Sequence, residues 1–201
     1  IREIDPDNKF KIYRSIKIGE LAEIFFLDTR IIERDIKTAP DGPNKKMIGD
    51  VQMDWLQQGL KNSTAKWKVI AQQVMISPLV VFGTVLNDDQ WDSYTFERAK
   101  LFDFIKNNKI GNLVVLTGDA HVFFACDLPF GKDEYTANNR KNSAGVEFVT
   151  SAVTSTGLPF TVSPSLITAL NPSIRDSQLD RRGFILFDVN KQRAQGDFYT
   201  V

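Results

Sequence analysis

The chain has 201 residues, 42% of them apolar, and its 25 Lys plus Arg balance 25 Asp plus Glu to a formal net charge of zero. That length and apolar content allow a substantial core, and the charge balance excludes a global basic field for nucleic acid or an anionic membrane. No apolar run approaches the ~20 residues that cross a bilayer, and a single cysteine, Cys126, excludes an internal disulfide. The sequence opens on Ile1 in charged surroundings rather than on a signal peptide, so a processed or excised part of a longer chain is the expectation.

In chain order, Lys11 to Ile18 alternates apolar and polar residues and predicts a half-buried strand. Gly19-Glu20 turns into a second strand, Leu21 to Leu27, and the two read as a hairpin. A Pro/Gly/Asn/Lys loop follows from Lys37 to Lys46. Asp50 is placed to cap a helix through Asn62, whose Met53, Trp55, Leu56 and Leu60 fall mostly on one face. Lys66 to Ala71 is the next strand, ending in Gln72-Gln73, and Ser77 to Gln90 reads as irregular. A second helix, Thr95 to Asn108, leads into a strand at Asn112 to Leu116. Strands at Phe123–Leu128 and Val146–Thr150 flank a polar excursion from Gly131 to Ser143. Ser151 to Arg182 is polar and proline-punctuated, with one helical turn at Leu166–Leu170, and a hairpin of Phe184–Val189 and Gln195–Val201 closes the chain. Helices preceding strands predict an α/β (α+β) fold, a mixed sheet with helices packed on it.

The chemistry concentrates in Gly118-Asp119-Ala120-His121, directly after the β-branched run ending at Leu116, and His121 is the only histidine. Open sheets place ligand sites at the carboxyl ends of strands, where backbones diverge. Asp119 and His121 are spaced to reach one metal ion, or a metal and the group it activates; a turn-forming Asp and a satisfied loop His is the bland alternative. Gln72 and Gln73 also end a strand, and their amides suit a hard cation or a phosphate, or simply the strand end. Arg30 stands after Asp28-Thr29, to pair with Asp28 or meet an anion. Trp91-Asp-Ser-Tyr94 reads as a helix start or a pocket rim, Cys126 as a buried, inert thiol, and Arg181-Arg182 as surface or a phosphate clamp. No Gly-X-Ser-X-Gly elbow supports a serine hydrolase, and Ser151 and Ser155 lack a nucleophile signature.

Several segments taken in order resemble the PhoD-like alkaline phosphatases, phosphodiesterase/phosphatases of the calcineurin-like metallophosphoesterase superfamily. They are Phe26-Leu-Asp-Thr-Arg30, Gly49 to Leu60, Trp67 to Met75, Trp91-Asp-Ser-Tyr94 with Arg98, Asn112 to Ala125, Val146 to Ser151, Asn171-Pro172, Arg182-Gly183, and Gln195-Gly-Asp-Phe-Tyr. The resemblance covers nearly the whole chain. It implies that residues 1–201 are the carboxyl-terminal part of one such domain, a two-sheet sandwich flanked by helices with a multinuclear metal site at the strand ends. It implies Asp119 and His121 as metal ligands or their immediate neighbours, with His121 catalytic, and places the family's phosphate arginine in the half not present here; Gln73 and, from its own position after a strand, Arg30 are the candidate substrate contacts in these residues. Family members often have Asn-Gln where this chain has Gln72-Gln73, so Gln73 is the better matched position.

The resemblance further implies divalent or ferric ions (calcium, iron, zinc or manganese), a small-molecule, lipid or polymer phosphoester as substrate, and an extracellular or periplasmic location. The remaining metal ligands of the family belong to an amino-terminal half not present in these residues, so the expectation is a chain that is inactive alone and whose partner is that half. Two competing readings stand beside it: a non-catalytic binding or scaffolding relative, and a nuclease or other phosphodiesterase, against which the zero net charge weighs.

Overall fold

The computed structural model describes residues 5–131, 135, 140, 142–157 and 162–201; Ile1 and most of the Gly131–Ser143 excursion lie outside the described residues. β1 (Arg14–Ile18) and β2 (Ala22–Phe26) form the expected antiparallel hairpin, with Ile16 opposite Ile24. β1 is not half-buried: all five residues are exposed, Ile16 by 47% and Ile18 by 48%. It lies at one edge of the seven-stranded sheet, with a neighbour on one side only among the described residues.

α1 (Gly49–Asn62) returns the chain to β3 (Trp67–Gln72), and α2 (Thr95–Asn107) returns it to β6 (Leu113–Thr117). β2, β3 and β6 are parallel, with Phe25 beside Ile70 and Ile70 beside Val115. Both crossovers step in the same direction across the sheet, and both helices pack into one core on the same face. The core there joins Met53, Leu56 and Leu60 of α1 and Leu101, Phe102 and Ile105 of α2 to Phe25, Ile70, Leu113 and Val115 of the strands. Each such side chain contributes roughly 1.5–3 kcal/mol by leaving water.

The Ser77–Gln90 segment, expected to be irregular, contains a small hairpin of β4 (Val80–Val81) and β5 (Thr84–Val85) before a 3-10 turn at Trp91–Ser93 leads to α2. β7 (Phe123–Pro129) and β8 (Ser143–Val149) follow, then α3 (Pro164–Leu170) and β9 (Ile174–Gln178). The seven-stranded sheet has the order β1-β2-β3-β6-β8-β7-β9, so β8 lies between β6 and β7 although it follows both in sequence.

The closing hairpin, β10 (Gly183–Val189) and β11 (Ala194–Thr200), covers part of the opposite face. Phe198 stacks on Phe123 at 5.1 Å, Phe187 and Phe198 flank Phe148, and Trp67 Nε1 donates to Asn190 O at 2.7 Å. This is a mixed α/β fold with a large sheet, small accessory sheets and flanking helices. No helix among the described residues is long and apolar enough to cross a membrane.

α1 does not start as its own sequence predicts. Ile48 occupies the cap without a side-chain bond, and Asp50 instead pairs with Lys46 and Lys100, each at 3.1 Å. The carboxylate of Glu97, reaching across from α2, accepts the backbone N–H of Met47 and that of Ile48, the latter at 3.1 Å. Burial raises the Glu97 pKa above its ordinary value, although the two backbone donors work against the shift. The folded chain therefore holds more protons than the unfolded chain between the ordinary and the raised value, and stability falls as pH rises through that window. In chemical denaturation from about pH 4 to 7, the wild-type chain is expected to lose stability relative to Glu97→Gln as the pH rises. Parallel pH profiles for the two would remove Glu97 as the cause.

Candidate active site

The parallel strands β2, β3, β6 and β8 all deliver their carboxyl ends to one edge of the sheet, with Gln72 beside Thr117 and Thr117 beside Val149. Between β6 and β7 the chain has only Gly118 to Val122 with which to pass over the end of β8 and reverse direction, a span of two strand spacings, about 10 Å. The arch is correspondingly tight. Asp119 and His121 both adopt positive φ, 67° and 58°, and Ala120 N–H donates to Gly118 O at 2.8 Å, closing a γ-turn of the rarer, strained form around Asp119. The end of β8 ties the arch down: Thr150 N–H donates to Thr117 O at 2.8 Å, and Ser151 Oγ lies 3.0 Å from His121 O. Left-handed non-glycine residues persist only where their surroundings over-determine them.

Asp119 and His121 line one cavity of about 310 Å³. Leu79, Leu86, Val122 and Phe124 give it apolar walls, and Asn87 and Gln90 add polar groups. The His121 ring is exposed, and its Nδ1 sits 3.1 Å from Thr156 O. A carbonyl oxygen only accepts, so Nδ1 carries the proton of the neutral ring and Nε2 presents the free lone pair.

Arg30 meets Asp119 at 2.9 Å and also pairs with Asp89. Partial burial opposes the Arg30 charge, but Asp89 and Asp119 outweigh it and hold the guanidinium pKa above its ordinary value. Burial would likewise raise the Asp89 carboxyl; Arg30, Arg34 and Lys37 override it and hold the pKa down. Arg34 donates to Asp89 Oδ1 at 2.6 Å and to Thr29 O at 2.8 Å, which fixes the cation–carboxylate row beside the cavity.

Arg30 does not use its side chain on Asp28. It is the Arg30 backbone N–H that donates to Asp28 Oδ1, at 2.9 Å. Neither Gln73 nor Arg30 lines the cavity; Arg30 reaches it through Asp119, whereas Gln73 Oε1 accepts from Thr29 N–H at 2.8 Å and Thr29 Oγ1 at 2.7 Å, and its Nε2 donates to Leu27 O at 2.9 Å. The amide is consumed in splinting the ends of β2 and β3. Gln72 accepts from Trp91 Nε1 at 3.0 Å and keeps a buried Nε2 without a partner among the described residues. Trp91 to Tyr94 is thus a helix start, Cys126 is buried with its thiol pushed up, and Arg181 and Arg182 are exposed. Asp89 and Gln90, unnoticed in the sequence, sit in a loop whose composition carries no pattern; a local Asn-Asp-Asp-Gln run is the only trace.

Among the described residues no group of three or more His, Cys, Asp or Glu could hold a metal ion. Asp119 and His121 are two donors, fewer than a closed metal site needs, so the described residues do not complete one.

A model of the PhoD-like phosphatase family matches residues 1–198. Alkaline phosphatase D of Bacillus subtilis (strain 168) is 32% identical over 212 residues, taking in 98% of this chain and 35% of that protein. A solved structure of PhoD superposes with a TM-score of 0.82 at 30% identity, covering 94% of this chain and 38% of the other. The chain therefore spans little more than a third of the length of these relatives. Motif order, sheet topology and the family match agree along almost every residue, and on that ground the chain belongs to the PhoD-like phosphatase family.

Proposed function

We propose that the chain forms part of the catalytic unit of a phosphoester hydrolase, with Asp119 and His121 at the reacting centre and Arg30 facing the phosphoryl oxygens. The observation that carries this reading is the shared cavity of Asp119 and His121 at the carboxyl ends of the parallel strands, with Arg30 against Asp119. An arginine already positioned by two carboxylates loses little freedom in turning its fork to a phosphate. His121, with Nε2 free, is placed to move a proton at the ester oxygen. Gln73 acts behind Arg30 by fixing Thr29, rather than by touching substrate.

The hydrolysis is proposed to use divalent or ferric ions, calcium, iron, zinc or manganese, with the other ligands supplied by residues that this chain does not contain. The same proposal covers a small-molecule, lipid or polymer phosphoester as substrate, and an extracellular or periplasmic site of action.

The test is hydrolysis of bis(p-nitrophenyl) phosphate and p-nitrophenyl phosphate by the whole protein that carries this chain, before chelation, after it, and after return of each ion. Expected are a loss on chelation, recovery with at least one ion, and no turnover by the 201-residue chain alone. A whole protein that turns over neither ester with any of the ions would overturn the reading in favour of a non-catalytic relative.

A further inference from the structure

Glu147 is the one charged residue of β8, between Val146 and Phe148, and it is completely buried. A carboxylate in such a place costs several kcal/mol unless it is fully hydrogen-bonded. Its register neighbours are Val115 of β6 and Cys126 of β7, on the face that carries the helices. Burial pushes its carboxyl up, while Thr117, Ile76, Ser77 and the nearby Arg98 hold it back.

What Glu147 binds is specific. Its Oε1 accepts from Thr117 Oγ1 at 2.6 Å and from Ile76 N–H at 3.0 Å, and its Oε2 accepts from Ser77 N–H at 2.8 Å. Thr117 is the last residue of β6, the springing point of the strained arch that carries Asp119 and His121. Ile76 and Ser77 lead into Leu79, which walls the same cavity. That wall segment is clasped twice more: Leu79 N–H donates to Asp92 Oδ2 at 2.9 Å, and Asn171 exchanges bonds of 2.9 and 3.0 Å with Val80. One buried carboxylate therefore joins the two pieces of backbone between which the cavity opens.

We propose that Glu147 is a positioning residue for Asp119 and His121: by holding Thr117 against the Ile76–Ser77 backbone it keeps the left-handed arch in its strained form and sets the width of the cavity. A hydrophobic replacement would strand three donors, and glutamine, in either orientation of its amide, would turn an N–H₂ toward a backbone N–H, that of Ser77 or that of Ile76, which can only donate. The kinetic consequence rests on the phosphoesterase reading; the geometric one does not.

Two measurements test it. In the whole protein labelled with ¹³C-histidine, the Hε1–Cε1 signal of His121 is the one that His121→Ala removes. Thr117→Val, which removes only the hydroxyl donor, is expected to shift and broaden that signal, as is Glu147→Gln. Thr117→Ser restores the wild-type position, and the methyl signals of Leu56 and Leu60 stay in place throughout. In the whole protein, Glu147→Gln and Thr117→Val are expected to lower kcat on bis(p-nitrophenyl) phosphate by about 100-fold, with KM within about threefold, as a displaced reacting group does. A His121 signal unmoved by Thr117→Val, or a folded Glu147→Gln enzyme with wild-type kcat, overturns the proposal. Should Glu147→Gln fail to fold, Thr117→Val against Thr117→Ser decides. A wild-type protein without phosphoesterase activity sinks the functional reading and leaves the His121 signal to decide the role of Glu147.

Discussion

His121→Ala is expected to lower phosphoester hydrolysis by the whole protein by about 100- to 10,000-fold, the range for loss of a positioned proton-transfer group. The ring is exposed and bonds to Thr156 O, but alanine suits the left-handed backbone at φ 58° less well than histidine, so the change should cost about 1–2 kcal/mol, too little to unfold the protein. The loss would then belong to chemistry and not to folding. Asp119→Asn is the companion experiment. Asn tolerates the left-handed backbone at this position better than other residues do, so the arch survives while one negative charge disappears. Arg30 would keep Asp89 as its counter-ion. Activity is expected to fall at least as far as in His121→Ala. If steady-state kinetics show either variant within threefold of wild type, that side chain leaves the reacting centre.

Asp28→Ala should give the largest change in stability. Asp28 lies two residues past the end of the parallel strand β2, fully buried, and its carboxylate accepts three backbone N–H groups: those of Arg30 and Ile31 on Oδ1, both at 2.9 Å, and that of Ile32 on Oδ2 at 3.1 Å. Its own backbone N–H and C=O are bridged by the Gln52 amide of α1, at 2.7 and 2.9 Å. Alanine leaves three donors stranded at about 1–3 kcal/mol each, with partial relief by water, for a net loss of roughly 3–5 kcal/mol. Against a typical total of 5–15 kcal/mol that is a large fraction. Asp28→Asn keeps the two bonds to one oxygen and should lose roughly half as much. Urea unfolding of the three proteins checks the order; equal midpoints for Asn and Ala would show that the carboxylate bonds are not what holds this turn. Because the same turn presents Arg30 to Asp119, a folded Asp28→Asn chain should also loosen that ion pair.

Much of this fold is legible locally. The first hairpin, both long helices, β3, β6, β7, β8 and the closing hairpin all announce themselves by periodicity and turn residues. β9 does not: Ile-Arg-Asp-Ser-Gln has one buried apolar residue, at Ile174, and becomes a strand because β7 offers a free edge. The sequence points to Asp50 as the cap of α1, whereas the carboxylate that meets the backbone at the cap residue Ile48 is that of Glu97, 49 residues away. The same distinction divides the site. Asp119 and His121 stand out because strand, glycine and motif are contiguous. Asp89 pairs with an arginine 59 residues away and Glu147 with backbone 70 and 71 residues away, and no window along the chain sees such pairs. Gln73 was placed at a strand end correctly, but the partner of its amide, Thr29, is visible only once β2 and β3 lie side by side.

The placement of β8 between β6 and β7 also orders events in time. On a ribosome adding about 5–20 residues per second, β6 and β7 emerge before the strand that separates them. For that interval β6 has a free rim, and β7 has no correct neighbour to settle against. Only when Ser143–Val149 slides between them can Thr117 find Glu147 and the arch above it tighten. Distant pairings of this kind slow folding, so the Gly118–Val122 arch can reach its folded form only after residues up to Val149 are available.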